Sequence, residues 1–304
     1  MMEVCLLGCG GMVPLPDRHL SSMLIRGHGK IILVDCGEGT QVSIKKTGWG
    51  FKSIDAVCLT HYHADHVAGL PGFLLTLGNS GRTEPLTIFG PPPLAYVLSA
   101  LTVIAPELPY EIRLEELSSE KESSIEHGGF LIGSLPMVHA IPCLAYRFEM
   151  KRTGKFQKER AEAQKIPKEY WNSLQKGNEI EYGGRKISPA MVMGPPRKGL
   201  KITYCTDSRP TDELIQFSCE SDLLVCEGMY GENDMLEKAI ARQHMLFSEA
   251  AEIAARGKSK ELWLTHFSPS LKEPEMFLYF SRNIFPNTTV GKDLLATTLN
   301  FINC

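Results

Sequence analysis

The nine cysteines of this 304-residue chain include no Cys-x-x-Cys pair, and their number is odd. A disulfide framework is therefore not expected, and the thiols read as reduced core residues of a cytoplasmic protein. No apolar run approaches the roughly 18 residues that a membrane-crossing helix needs. The first residues, Met-Met-Glu-Val-Cys-Leu-Leu-Gly, carry no basic segment ahead of a long apolar stretch, so no signal peptide is expected. Short-period repeats and low-complexity tracts are missing too, and 43% hydrophobic and 22% charged residues exclude collagen, coiled coil and wholesale disorder. Charge of one sign is also scarce: the net is −3.

What is present is a succession of short apolar runs broken by glycine. Residues 3–7 read as a strand that ends at Gly8 and enters a glycine-rich turn. Residues 22–34 read as a hairpin split at Gly27-His28-Gly29, and its second run ends at Asp35-Cys36-Gly37-Glu38-Gly39. Residues 54–60, 86–90, 111–117, 129–148, 201–205, 222–226 and 261–265 read as further strands. Helices are expected over 67–78 despite Pro71, over 94–105, over 248–256 with Ser248 as N-cap, and finally over 275–283. Sheet-rich halves with helices outside imply a layered α/β sandwich, here taken as one domain over 1–304.

One segment differs. Residues 151–176 hold eight Lys/Arg against three Glu, a net of +5, which leaves −8 on the rest of the chain. The overall charge therefore averages two unlike parts. The segment reads as a surface insertion, helical or irregular, with little core of its own.

The strongest chemical signal is Thr60-His61-Tyr62-His63-Ala64-Asp65-His66, directly after a buried strand. Imidazole and carboxylate are the ligands that Zn²⁺ favours, and a loop at a strand end can converge them. His61 and His63, two apart on an extended turn, can face one cation, and Asp65 and His66 a second. His139, Asp207 and His266 each follow an apolar run, and with the loop they supply enough donors for two metals, Asp207 serving as a carboxylate bridge. His19, His28 and His127 sit in loop-like contexts and read as ordinary surface residues.

The order His61-x-His63-x-Asp65-His66, His139, Asp207, His266 resembles the metallo-β-lactamase-fold hydrolases. Gly8-Cys9-Gly10-Gly11, Asp35-Cys36-Gly37-Glu38-Gly39-Thr40-Gln41, Gly194-Pro195-Pro196-Arg197-Lys198-Gly199 and Leu264-Thr265-His266-Phe267-Ser268-Pro269 narrow the resemblance to the ribonuclease Z branch over nearly the whole chain. The resemblance implies a four-layer αββα sandwich. It implies one Zn²⁺ on His61, His63 and His139 and another on Asp65, His66 and His266, with Asp207 bridging and Mn²⁺ as a substitute. It places Asp35 behind a ligating histidine. Asp65 would take the proton of the attacking water, and His244, held by Glu227, would serve the leaving 3′-oxygen.

The same resemblance makes residues 151–176 an arm that grips precursor tRNA, in a homodimer without membrane attachment. Phe156, Tyr170 and Trp171 would stack on bases or close the arm's small core. The expected activity is removal of the 3′ trailer of precursor tRNA. Cys226-Glu227-Gly228-Met229, His244-Met245-Leu246 and Ser270-Leu271 depart from the family's usual residues. They keep open a phosphodiesterase of the same fold with a small or non-tRNA substrate. An RNA-binding protein with little activity is the third reading.

Overall fold

The apolar runs fold as strands that feed turns at their carboxyl ends. The computed structural model describes residues 1–302. Its strands are β1 (Met2–Gly8), β2 (Ser22–Gly27), β3 (Lys30–Val34), β4 (Ile54–Cys58), β5 (Leu86–Gly90), β6 (Ile112–Glu116), β7 (Ser123–His127), β8 (Phe130–Met137), β9 (Cys143–Arg152), β10 (Ile180–Tyr182), β11 (Arg185–Ile187), β12 (Arg197–Cys205), β13 (Leu223–Glu227), β14 (Leu262–Thr265), β15 (Thr288–Val290) and β16 (Ala296–Leu299). Its helices are α1 (Thr40–Thr47), α2 (Ala64–Val67), α3 (Leu70–Asn79), α4 (Leu94–Thr102), α5 (Lys158–Ala163), α6 (Lys168–Gln175), α7 (Asp212–Phe217), α8 (Leu236–Arg242), α9 (Phe247–Arg256) and α10 (Leu278–Arg282).

The chain divides into two compact units, Met1–Met150 with Leu200–Asn300, and a second built on Lys151–Gly199. The first holds two seven-stranded mixed sheets, ordered β16-β1-β2-β3-β4-β5-β6 and β15-β14-β13-β12-β9-β8-β7. The sheets face each other: the Phe89 and His127 rings lie 5.3 Å apart, and Tyr146 Oη donates to Leu59 O at 2.8 Å. Outside the first sheet, Ile44, Phe73, Leu74, Leu77, Leu94 and Leu98 of α1, α3 and α4 close one core. Outside the second, Leu214, Phe217, Phe247, Ala250 and Ile253 of α7 and α9 close another. Helix, sheet, sheet and helix are thus four layers, the αββα sandwich that the family resemblance implies.

Local details differ from the sequence reading. The chain bends at 138–142 between β8 and β9, so 129–148 is two strands and not one. Ser248 lies inside α9, and Leu246 is its N-cap; Ser248 Oγ instead donates to Asn233 Oδ1 at 2.7 Å, while Glu249 takes the Leu246 N–H. Two edge strands, β15 and β16, follow the segment that reads as the last helix. They are short and half-polar, which leaves little periodicity to read.

The second unit extends beyond the expected arm. It runs on from Lys176 through the β10–β11 hairpin to Gly199. It also has a core of its own: Ala161, Ile166, Leu174, Ile187 and Val192 are buried together. Two of these residues lie past position 176, which is why the shorter segment reads as coreless. Phe156, Tyr170 and Trp171 pack against this core, so they close it. Over residues 151–199 the charge is twelve Lys/Arg against five Glu, a net of +7.

Candidate metal centre

The predicted donors come from strand ends on one edge of the sandwich. His61, His63, Asp65 and His66 follow β4, His139 follows β8, Asp207 follows β12, and His266 follows β14. Asp35, Asp207 and His266 all have positive φ, 57°, 53° and 58°. Non-glycine residues are uncommon in that region, and three such residues at strand ends mark backbone strained to aim side chains. The loops are also pressed together. A Cβ on Gly69 would lie 1.9 Å from Gly37 O, and one on Gly37 would lie 2.0 Å from Asp65 O. Only glycine lets these two chains cross behind the histidines.

The donors separate into two groups. His61, His63, His139 and Asp207 form one, and Asp65, His66 and His266 form another. In the first, His61 Nε2 lies 3.0 Å from His63 Nδ1, which lies 3.2 Å from His139 Nε2. In the second, His66 Nε2 and His266 Nε2 are 3.3 Å apart, with Asp65 Oδ2 at 3.4 and 3.5 Å from them. Asp207 stands between: Oδ1 is 3.9 Å from His61 Nε2, while Oδ2 is 3.2 Å from His66 Nε2 and 3.1 Å from His266 Nε2.

This arrangement fits a metal. Within each group the donor atoms all lie within 4.8 Å of one another. Ligands at about 2.0–2.1 Å from a tetrahedral ion sit roughly 3.3 Å from each other, the spacing seen here. Asp207 Oδ2 is buried without a hydrogen-bond partner. Burial holds the His61 and His139 imidazoles below the usual histidine range, His139 down to about 4, against the pull of Asp207. Both are therefore neutral at physiological pH, the form that binds metal. Burial would raise Asp65 and Asp207, but the neighbouring imidazoles outweigh it and keep both ionised. A divalent metal cofactor follows from this donor set and fold.

Behind the donors, the fully buried Asp35 serves both groups. His66 Nδ1 lies 2.8 Å from Asp35 Oδ2. Thr60 Oγ1 lies 2.9 Å from the same oxygen and 3.0 Å from His61 Nδ1, and Thr60 N donates to Asp35 Oδ1 at 2.8 Å. If both Nδ1 atoms carry the proton, both Nε2 atoms are left free to ligate. Met12 N donates to Asp65 Oδ2 at 2.7 Å, so the glycine-rich loop after β1 closes over the second group.

His244 and Glu227 also meet. Glu227, buried at the end of β13, lies 3.0 Å from His244 Nδ1 through Oε2 and accepts from Ser208 N through Oε1. Burial lowers the His244 imidazole, but Glu227 and then Asp207 outweigh it and hold it above the usual range. Its ring lies 5.8 Å from that of His139 and 5.7 Å from that of His266. His19, His28 and His127 lie elsewhere: His19 pairs with Asp293, His127 with Asp55, and His28 packs on Phe130.

Sequence reasoning missed several supports. Arg209 reaches both the His244 carbonyl and the Glu249 carboxylate, and so ties the His244 turn to α9. Its place two residues after Asp207 was the one available signal. The cavity over the donors, about 770 Å³, is also lined by Met12, Tyr230, Lys238 and Arg242, which no motif singled out.

Residues 15–141 match the model of the metallo-beta-lactamase superfamily. The chain is 53% identical to a ribonuclease Z of Clostridium acetobutylicum, covering all of both chains, and 51% identical to one of Clostridium kluyveri over 99% of both. Among solved structures, the short form of human tRNase Z superposes with a TM-score of 0.71 at 22% identity, covering 98% of this chain and all of that one. A metallo-beta-lactamase fold protein of Bacillus subtilis gives 0.70 at 21%, over 97% and 98%. The latter two share the fold. Full-length identity near one half to the former two places the chain in the ribonuclease Z family.

Proposed function

We propose that this metal-dependent hydrolase is an endoribonuclease that removes the 3′ trailer of precursor tRNA. The carrying observation is the pair of donor groups joined at Asp207, in a chain half-identical to ribonucleases Z over its full length. His61, His63 and His139 would hold one Zn²⁺, and Asp65, His66 and His266 the other, with Asp207 shared and Mn²⁺ as a substitute. The metal supplies Lewis acidity to the scissile phosphate and acidifies water at neutral pH.

The protein's own groups do the rest. Asp65, ionised and held by the Met12 N–H, accepts the proton of the attacking water. Glu227 keeps His244 protonated and turned so that Nε2 faces the cavity, where it donates to the departing ribose 3′-oxygen. The products are a tRNA ending in a 3′-hydroxyl and a trailer with a 5′-phosphate. The basic unit, 151–199, supplies salt-sensitive attraction for the tRNA body. A homodimer is the expected assembly, and sedimentation velocity tests it.

The deciding experiment is incubation with Zn²⁺ or Mn²⁺ and either precursor tRNA or bis-p-nitrophenyl phosphate. Trailer removal leaving a 3′-hydroxyl supports the reading. Turnover of the small diester alone turns it into a small-substrate phosphodiesterase, and metal binding without either reaction into an RNA-binding protein. His63→Ala should lose both metal and turnover.

A further inference from the structure

A second cavity, about 400 Å³, opens beside the first. The two share Tyr230, Ser268 and Ser270 as a common wall. The remainder of the second is mainly apolar, with Met229, Met235, Leu271, Met276 and Phe277, and its lining also holds one cation, Lys272, along with the carboxylates of Glu232 and Glu273. Its volume falls within the range of small-molecule sites. Met276, one of its lining residues, is 65% exposed.

From this geometry we infer that the second cavity binds an unstacked nucleobase of the RNA, that of the nucleotide whose 3′-oxygen leaves. The inference rests on the endoribonuclease reading above, and three observations support it. The first is continuity. Tyr230 belongs to both cavities, and its ring lies 6.5 Å from that of His244, the group proposed to protonate the leaving oxygen. A nucleotide whose 3′-oxygen meets His244 is thus within reach of Tyr230 with its base.

The second is chemistry. A base freed from its neighbours loses stacking, and aromatic and thioether side chains cover its faces again, worth about 1–3 kcal/mol per base. The carboxylates of Glu232 and Glu273, which line the same cavity, can accept from exocyclic amino groups. The third is charge. Lys238 Nζ lies 5.1 Å from the Tyr230 ring centre, and Arg242 lines the first cavity on the same helix. Both stand where the strand's phosphates would run, whereas the second cavity's lining is mainly apolar and suits a base more than a phosphate.

The test is a two-by-two comparison of single-turnover kcat/KM on precursor tRNA and on a single-stranded ten-nucleotide RNA. Each RNA is made with and without the base at the last retained nucleotide. Wild-type protein is set against Met276→Ala, whose exposed side chain leaves folding unaffected, and against Met235→Ala. Removing the base should cost wild type about tenfold or more. Each variant should already show most of that loss with the base in place and lose little more when it is removed. Additive losses, or a base-free RNA cleaved as fast as the intact one, overturn the proposal. Protein that cleaves the oligomer but not the precursor loses the tRNA reading and keeps this one; protein that cleaves neither loses both. Independently of turnover, 4-thiouridine at that nucleotide should photo-crosslink to Tyr230 or residues 271–277 in metal-free protein, and crosslinks confined to other segments count against it.

Discussion

Asp35 Oδ2 lies 2.8 Å from His66 Nδ1 and 2.9 Å from Thr60 Oγ1, which itself reaches His61 Nδ1. One buried carboxylate thereby orients a histidine in each donor group. Asp35→Asn places an amide where the carboxylate stood and disturbs both rings. Metal affinity should fall about 10–100-fold, measured by chelator competition. Thr60→Val breaks only the branch to His61, so its effect should be smaller and confined to metal held by the first donor group. Equal affinity in wild type and Asp35→Asn would show that the ligands need no such orientation.

The basic unit makes an electrostatic prediction. Lys158, Arg160, Lys165 and Lys168 are exposed. Reversing all four to Glu should raise the KM for precursor tRNA and flatten its dependence on salt. Every phosphate that no longer meets a cation takes about 0.9 off the slope of log affinity against log salt. Turnover of bis-p-nitrophenyl phosphate should stay unchanged, since that substrate has no chain to grip. An unchanged salt slope would make the charge a feature of a solvated surface.

Thiol chemistry should be confined as well. Cys5, Cys9, Cys36, Cys58, Cys143, Cys205 and Cys226 are buried. The thiols of Cys5, Cys9, Cys36, Cys58 and Cys143 are raised chiefly by burial, and that of Cys205 first by its hydrogen bond with Cys226 and then by burial. Cys219 is exposed. Brief alkylation of native protein, mapped by peptide mass, should label Cys219 well before any of these seven, because the thiolate is the reactive form. Rapid labelling of Cys143 or Cys205 would mean that the second sheet opens readily.

Much of the centre was legible because its chemistry is local. His61, His63, Asp65 and His66 crowd into six residues after an apolar run, and His139, Asp207 and His266 each end one. A layered α/β sandwich followed from the alternation of runs and breaks, and its four αββα layers from the family resemblance. Long-range relationships left no such trace. That Thr60 links Asp35 to His61, that Arg209 braces the His244 turn, and that Tyr230 divides two cavities depend on chain crossings such as Gly37 over Gly69. The core of the second unit was hidden for a related reason, since Ile187 joins it from the second strand of a hairpin and Val192 from beyond that hairpin.

His244 and Glu227 carry the last prediction. Removing a proton donor typically costs about 10²–10⁴-fold when the leaving group needs the proton. His244→Ala should lose kcat in that range on precursor tRNA, with metal content unchanged. The loss on bis-p-nitrophenyl phosphate should be far smaller, because p-nitrophenolate departs unprotonated. The sign of the pH effect follows from the pair. The acid works while protonated, so activity falls as pH rises through the His244 value. Burial lowers that value, and Glu227 and then Asp207 together more than restore it. Glu227→Gln removes the restoring charge, so the alkaline limb of the kcat profile should move to lower pH. Metals on Asp207 and His266 act in the opposite sense to Glu227 in both proteins, which leaves the direction of the difference intact. Equal losses on both substrates, together with loss of metal, would instead make His244 a ligand, as its place within reach of Asp207 and His266 allows.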